Sequence, residues 1–232
     1  MKLGIISDIH GNYFALKQVL DTLRRAGCGS ILCLGDVTGY YSMVNECIDL
    51  LRAESVFCLK GNHDSYLLGE GQCPRSNSVN RCIAYQKEVI TRDNLEWLAT
   101  LKPQYTTADF AAVHGGWNDP LDEYIRQFDF AAAESCMPNC KLFLSGHSHI
   151  QTLQTCGGIT YCNPGSVGQP RDHDPRAAYA ILEDGEITLG RVEYDIDATA
   201  EQMRRAGFTE YFYQNLYFGC KIGEYRGDPG TT

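Results

Sequence analysis

Five of the six histidines in this 232-residue chain stand in four short motifs beside an acid, an amide or a glycine. These are Asp8-Ile9-His10, Asn62-His63-Asp64, Val113-His114-Gly115-Gly116 and Gly146-His147-Ser148-His149, with Leu34-Gly35-Asp36 between the first two. Asp8, His10, Asp36, Asn62, His114, His147 and His149 offer only nitrogen and oxygen donors. Such a set suits borderline divalent metals such as manganese, iron, zinc, nickel or cobalt better than soft ones. Seven donors exceed what one tetrahedral ion accepts. Sharing one carboxylate between two ions roughly 3.5–4 Å apart gives each ion four protein ligands. A metal pair of that kind lowers the pKa of a shared water, supplies hydroxide at neutral pH and neutralises phosphoryl oxygens during in-line attack.

The elements around these motifs must bring them to one place. Ile5-Ile6-Ser7 precedes Asp8, Ile31-Leu32-Cys33-Leu34 precedes Asp36, and Val56-Phe57-Cys58-Leu59 precedes Asn62. Phe110-Ala111-Ala112-Val113 and Leu142-Phe143-Leu144 precede His114 and His147. Short apolar runs bounded by glycine read as buried strands, and in α/β sheets ligands gather beyond the carboxyl ends of strands. Asn12 can cap a helix with a Leu16, Val19, Leu20 and Leu23 stripe, ended by Gly27 and Gly29. A strand at 30–34, a helix near 43–53 and a strand at 55–60 complete a βαβαβ pattern, which predicts a parallel sheet with right-handed crossovers. Residues 76–100 read as one helical stretch stopped by Pro103. Strands are predicted near 104–108, 109–114, 141–145, 151–156, 159–163, 177–183 and 186–194. Cys156-Gly157-Gly158-Ile159 and Glu183-Asp184-Gly185-Glu186 serve as hairpin turns. A sheet begun by βαβ units and finished by hairpins predicts two packed mixed sheets with helices outside. The tail from Ala198 reads as a short helix, then a segment rich in Tyr and Phe, and residues 220–232 as poorly ordered.

Length and composition predict one domain over 1–232. Twenty Lys and Arg against 29 Asp and Glu give a net charge of −9, which opposes non-specific binding to nucleic acid or to an anionic membrane. No apolar run reaches the ~18 residues that span a bilayer, and the first strand leaves no signal-peptide core. These features predict a soluble, cytoplasmic protein. Eleven cysteines, an odd number without a Cys-x-x-Cys pair, argue against a disulfide framework. A zinc knot of Cys136, Cys140, Cys156 and Cys162 can be drawn, but its spacing matches no structural zinc pattern.

The motifs, in this order, resemble the calcineurin-like metallophosphoesterase superfamily: Asp-x-His, Gly-Asp, Gly-Asn-His-(Asp/Glu), a His before Gly, then Gly-His-x-His. The likeness extends along nearly the whole chain to a bacterial and archaeal branch of predicted phosphoesterases, through Leu34–Tyr40, Asn163–Asp172 and Arg191–Asp195. It implies a four-layer α/β/β/α sandwich. It also implies that Asp8, His10, Asp36 and His149 hold one metal and Asp36, Asn62, His114 and His147 the other. His63 would be the general acid, with Asp64 orienting its ring. A neighbouring carboxylate favours imidazolium, and an alkoxide leaving group needs a proton. The family's usual Gly-Pro after Gly39-Tyr40 is Tyr41-Ser42 here, and its His-Gly-Ser is His114-Gly115-Gly116, departures that bear on substrate preference.

Each residue also has an ordinary reading. Asp8 or Asp64 could cap a helix, Asp36 could brace a turn, and a single histidine is more often hydrogen-bonded than ligating. Five motifs in family order outweigh that reading. Arg171 offers a fork suited to phosphate oxygens, or an ion pair with Asp172 or Asp174. His173 stands where relatives carry Gly, and is read as exposed or lining the mouth. Tyr40, Tyr41, Trp117 and Tyr124 flank the motifs and could stack on a base or aryl group, with packing as the role for at least two. The function expected is a dinuclear metal-dependent phosphoesterase, with manganese first among the metals, acting on small soluble phosphodiesters or nucleotides. Symmetrical dinucleotide polyphosphate hydrolysis and protein Ser/Thr dephosphorylation are alternatives. A non-catalytic scaffold is the alternative class, since a eukaryotic retromer subunit shares this fold without its active-site residues.

Overall fold

The computed structural model describes residues 2–107 and 109–224. In chain order, β1 (Lys2–Ile6), α1 (Tyr13–Arg25), β2 (Ser30–Cys33), α2 (Val44–Ala53) and β3 (Phe57–Cys58) form the βαβαβ start. Then come α3 (Asn62–Leu68), α4 (Asn77–Val89), α5 (Arg92–Thr100), β4 (Gln104–Thr106), β5 (Phe110–Val113), α6 (Phe130–Cys136) and β6 (Leu142–Leu144). The hairpins β7 (Gln151–Cys156) with β8 (Ile159–Pro164) and β9 (Ala177–Glu183) with β10 (Glu186–Val192) follow. Helix α7 (Ile196–Arg205) and two 3₁₀ turns, Glu210–Phe212 and Gln214–Phe218, end the described chain.

Two five-stranded mixed sheets result, ordered β10-β9-β1-β2-β3 and β4-β5-β6-β8-β7. In each, three neighbouring strands are parallel and the hairpin partners antiparallel. Both hairpin turns have positive φ at their two central residues, Gly157 and Gly158 in one and Asp184 and Gly185 in the other. That conformation matches the twist of the strands and suits glycine and aspartate.

Strand alternation divides the core into layers. Leu3, Ile5, Leu32 and Leu34 face Ala112, Leu142, Leu144 and Cys162 between the sheets. Ile6 and Cys33 point the other way, onto Leu16, Val19, Leu20 and Leu23 of α1 and Ile48 and Leu51 of α2. Ala111, Phe143 and Tyr161 cover the outer face of the second sheet with Phe128 and Ala133. Two mixed sheets flanked by helices is therefore the architecture, as the resemblance implied.

Several local expectations needed correction. The stretch at 76–100 is two helices, because Thr91 leaves the helical conformation and its hydroxyl accepts the Asn94 N–H, capping α5. α3 and α6 have only seven residues each, too short to show a helical period in sequence. The final helix begins two residues early, where Asp195 caps it through the Ala198 N–H. The expectation of a poorly ordered tail falls mostly on 225–232, outside the described residues, while Cys220 is buried. All eleven cysteines are free thiols, and among the described residues no three of them approach closely enough to share a metal.

Candidate metal centre

The backbone pairing of β1 with β2 continues past the strand ends. Asp8 N–H donates to Gly35 O, His10 N–H to Asp36 O and Gly11 N–H to Val37 O, at 3.0, 3.0 and 2.9 Å. This extended ladder sets the Asp8 loop beside the Asp36 loop. Gly146 N–H donates to His114 O, and Gly168 N–H to Asp8 O, so the second sheet's loops close on the same point. All seven proposed ligands are at most 4% exposed. Five of them, Asp8, His10, Asp36, His147 and His149, have φ between 55° and 65°. Non-glycine residues rarely occupy that left-handed region, and such residues cluster at functional sites.

The side chains converge in overlapping groups: Asp8 with His10 and His149, His10 with Asp36 and His63, and Asp36 with His114 and His147. Asn62 joins the last group, its Oδ1 3.1 Å from His114 Nε2. Backbone carbonyls fix three imidazoles through Nδ1, with Thr38 O 2.8 Å from His10, Gln169 O 2.6 Å from His149 and Leu34 O 3.0 Å from His114. An N–H committed there turns each Nε2 inward, the usual arrangement for a metal ligand, with a bound cation taking the place of any proton on that nitrogen. His10 Nε2 and His149 Nε2 then stand 3.1 Å apart, two lone pairs that repel unless a cation or proton lies between them.

The charges make the same demand. Asp8 Oδ1, Asp36 Oδ2 and His147 Nε2 are buried without a hydrogen-bond partner. Such atoms are costly unless something else satisfies them. Asp36 Oδ2 lies 3.4 Å from His114 Nε2 and 3.7 Å from His10 Nε2, and Asp8 Oδ1 lies 3.2 Å from His149 Nε2. Burial opposes ionisation of both carboxyls. The surrounding imidazoles overcome it, holding Asp8 and Asp36 well below the usual carboxylate range. Burial likewise opposes the His114 imidazolium, but Asp36, Asp8 and Asp64 carry it up to about 10. The donor set thus fits divalent cations, with Asp36 between the two groups.

Glycine is required where loops cross this cluster. A Cβ on Gly61 would run into the Asp36 carboxylate, and one on Gly39 would meet His63 Nδ1 at 2.6 Å while Gly39 has φ 132°.

His63 sits beside the cluster, its Nε2 3.9 Å from Asp36 Oδ2 and its N–H on Asp36 Oδ1 at 2.9 Å. Its ring packs against His10 and Tyr40, with centroids 4.7 and 5.0 Å away. The expected role of Asp64 is corrected here. Its carboxylate accepts the N–H groups of Asp36, Thr38 and Gly61 at 2.9–3.0 Å, and His63 Nδ1 has no partner. Asp64 braces the loops that carry Asp36 and Asn62, and does not orient the His63 ring. Burial and the Asp36 charge push it up to about 6, against those amide bonds.

A cleft of about 300 Å³ opens over the cluster, with Asp36, Asn62, His63, His147 and His149 in its floor. Arg171 lines it and pairs with neither candidate acid: Asp172 is taken by Arg191 and Asp174 by Arg176. Instead the guanidinium donates to Gln169 Oε1 and to the Tyr40 hydroxyl, at 2.8 Å from Nη2 in both cases. Tyr40 and Tyr124 line the cleft, the latter packed against His147 with ring centroids 4.0 Å apart and planes tilted by 40°. Tyr41 is buried, with its hydroxyl on Gln169 and Asn215. Trp117 packs on Phe128 and Phe143. His173 is exposed at φ 63°.

Sequence reasoning missed Arg75 and Lys221, which also line the cleft, and Asp122, which pairs with Arg75 and lies 3.5 Å from His147 Nε2. They come from segments without a motif, so no spacing pointed to them.

The profile of the calcineurin-like phosphoesterase superfamily domain matches residues 1–185. An uncharacterized protein of the archaeon Methanocaldococcus jannaschii is 32% identical, covering 94% of this chain and 98% of its own length. The phosphodiesterase YfcE of Escherichia coli is 24% identical over 82% of this chain and 91% of its own. Among solved structures, a metallophosphoesterase from Sphaerobacter thermophilus superposes with a TM-score of 0.79 at 32% identity, covering 94% and 99% of the two chains. A hypothetical protein from Pyrococcus horikoshii reaches 0.86 at 17% identity over 95% and 99%, a likeness of fold. The chain belongs to the calcineurin-like phosphoesterase superfamily, as a metallophosphoesterase that hydrolyses phosphoester bonds.

Proposed function

We propose that the chain is a two-metal phosphodiesterase of small soluble phosphoesters, nucleotide esters included. In this reading Asp8, His10, Asp36 and His149 hold one divalent ion. Asp36, Asn62, His114 and His147 would hold the other, with Asp36 serving both. Manganese is the first metal to test. The observation that carries this reading is the pair of orphaned, buried carboxylate oxygens, Asp8 Oδ1 and Asp36 Oδ2, facing inward-pointing imidazole nitrogens. Bound metals would activate water at neutral pH and offset phosphoryl charge.

The chain's own groups do the rest. His63, in the cleft floor beside Asp36, is placed to donate a proton to the departing oxygen. Its ring is positioned by Tyr40, while Asp64 acts indirectly by bracing the loops. Arg171 presents charge to the phosphoryl oxygens from a fixed seat on Gln169 and Tyr40. The Tyr40 and Tyr124 rings give flat walls suited to a base or aryl group. A cleft of about 300 Å³ favours a small ester over a protein substrate. The named activity of YfcE favours a diester. Retention of His63 and every ligand disfavours a scaffold role. Eleven free thiols support a reducing, cytoplasmic setting, and among the described residues no helix is long and apolar enough to cross a membrane.

Turnover of bis(p-nitrophenyl) phosphate, nucleotides and dinucleotide polyphosphates, measured with manganese and after chelation, tests the proposal. Hydrolysis of the diester that chelation abolishes and manganese restores is expected. Activity indifferent to chelation, or confined to dinucleotide polyphosphates, would overturn it.

A further inference from the structure

The cleft reverses the sign of the chain that surrounds it. The whole protein carries nine more acidic than basic residues. Yet Asp36, a proposed metal ligand, is the sole carboxylate among the described residues lining the cleft, whereas Arg75, Arg171 and Lys221 bring three cations. Two of these cations have no ion-pair partner among the described residues. Arg171 is held by neutral oxygens, those of Gln169 and Tyr40. The Lys221 ammonium has no ion-pair partner among the described residues. Glu224, close by, accepts from the Lys221 backbone N–H. Arg75 differs, since both its terminal nitrogens are engaged by Asp122. That leaves it near neutral and fixes the cleft wall between the α3–α4 loop and the loop after β5.

The position of Lys221 adds a second observation. The family profile ends at residue 185, but the described chain continues to 224. Its last segment packs back on the domain through Phe208, Phe212 and Leu216 around Tyr41. Asn215 donates to the Tyr41 hydroxyl, and His173 N–H donates to Gly219 O at 3.0 Å. These contacts deliver Lys221 and Ile222 to the mouth of a cleft whose floor is built by the shared domain. The matched span supplies the proposed reaction centre, and the segment beyond it supplies a cation that has no ion-pair partner among the described residues.

An uncompensated cation in a partly enclosed site selects anions, because charge-assisted contacts are stronger than neutral ones and low-dielectric walls concentrate the field. A phosphoryl group seated on the ligand floor leaves Lys221, carried by a separate segment of the cleft lining, to a further anion. We propose that the substrate is a phosphoester bearing a second anionic group, recognised by Lys221, beyond the phosphoryl group that Arg171 faces. This deepens the phosphodiesterase reading and rests on it for the location of the reacting phosphoryl group.

Calorimetric titration of the manganese-loaded full chain with thymidine 5′-phosphate and thymidine 3′,5′-bisphosphate separates the two contributions, since the probes differ by one distal phosphate. The bisphosphate should bind about tenfold or more tightly, equivalent to ~1.4 kcal/mol. Lys221→Met should cut that advantage to below about threefold, and Lys221→Arg should keep most of it. Lys221 is exposed, so neither change disturbs the core. Equal affinities in the unmodified protein, or an advantage that survives in Lys221→Met, overturn the proposal. Diester turnover measured on the same preparations keeps the two ideas apart. Turnover without a bisphosphate preference sinks the second anion site alone. A preference without turnover sinks the phosphodiesterase reading and leaves the anion site standing.

Discussion

In the group formed by Asp8, His10 and His149, both rings rest Nδ1 on backbone carbonyls, at 2.8 and 2.6 Å. In the group formed by Asp36, His114 and His147, His114 is held in this way, at 3.0 Å. The His147 ring packs instead against the tilted Tyr124 ring, its Nε2 lying 3.5 Å from Asp122 Oδ1 without a hydrogen-bond partner. One group is therefore fixed by the fold. The other is completed by a side chain whose orientation depends on the cleft wall. Outer contacts of this kind set ring orientation and ligand basicity, and losing them typically costs about 10–100-fold in metal affinity. On the proposed two-metal reading, the comparison teaches that the two positions need not hold their ions equally well.

The largest expected effect removes what the groups share. Asp36→Asn deletes one negative charge that faces both, so activity should fall to background. Metal content should drop from about two ions per chain toward zero, read by elemental analysis after reconstitution with manganese. His10→Ala, in contrast, should lower occupancy mainly at one position. If Asp36→Asn lost only one ion, Asp36 would belong to a single group and the shared-carboxylate picture would fail.

His63 sits between the groups, with its ring against His10 and its backbone on Asp36. His63→Ala should retain both ions but lose turnover by about 10²–10⁴ if it donates the proton. The loss should be much smaller for nitrophenyl esters, whose leaving group hardly needs protonation, than for nucleoside esters. An equal loss for both ester types with the ions retained would show that His63 does something else.

Graded chelation addresses the contrast directly. As chelator rises, ions should leave in two steps about 10–100-fold apart in apparent affinity, with the His147 side emptying first. A single step would mean that the carbonyl anchors do not distinguish the positions. The smallest effect belongs to Tyr124→Leu, which removes the ring packed against His147 and should weaken only the more labile ion, by several-fold, worth about 0.5–1.5 kcal/mol. Unchanged chelation curves for that variant would mean His147 is held without Tyr124.

Much of this centre was legible in the sequence because its ligands follow strand ends, where a short apolar run and a polar motif appear together. The Asp8 and Asp36 motifs are of this kind, and the pairing of β1 with β2 simply continues through them. Asp64 was misread because adjacency to His63 in sequence suggested contact, whereas on α3 the two side chains diverge. The carboxylate then turns to the amides of Asp36, Thr38 and Gly61. The break between α4 and α5 was hidden because an apolar stripe can run across a capped junction without losing phase. Arg75 and Lys221 were invisible for another reason. Their meaning comes from the cleft they share, which is made by segments about 150 residues apart, and neither carries a local pattern.

The left-handed backbone at Asp8, His10, Asp36, His147 and His149 has a consequence for how this sequence can change. Each such residue holds a conformation costing L-amino acids roughly 1–2 kcal/mol, and glycine would relieve it at no steric cost. At these five buried positions the cavity and the unpaired backbone groups left by glycine would cost more, about 2–5 kcal/mol, so a laboratory selection for heat resistance alone would gain nothing there. His173, exposed at φ 63° and outside the cluster, is where the same replacement should raise stability and leave the chemistry alone.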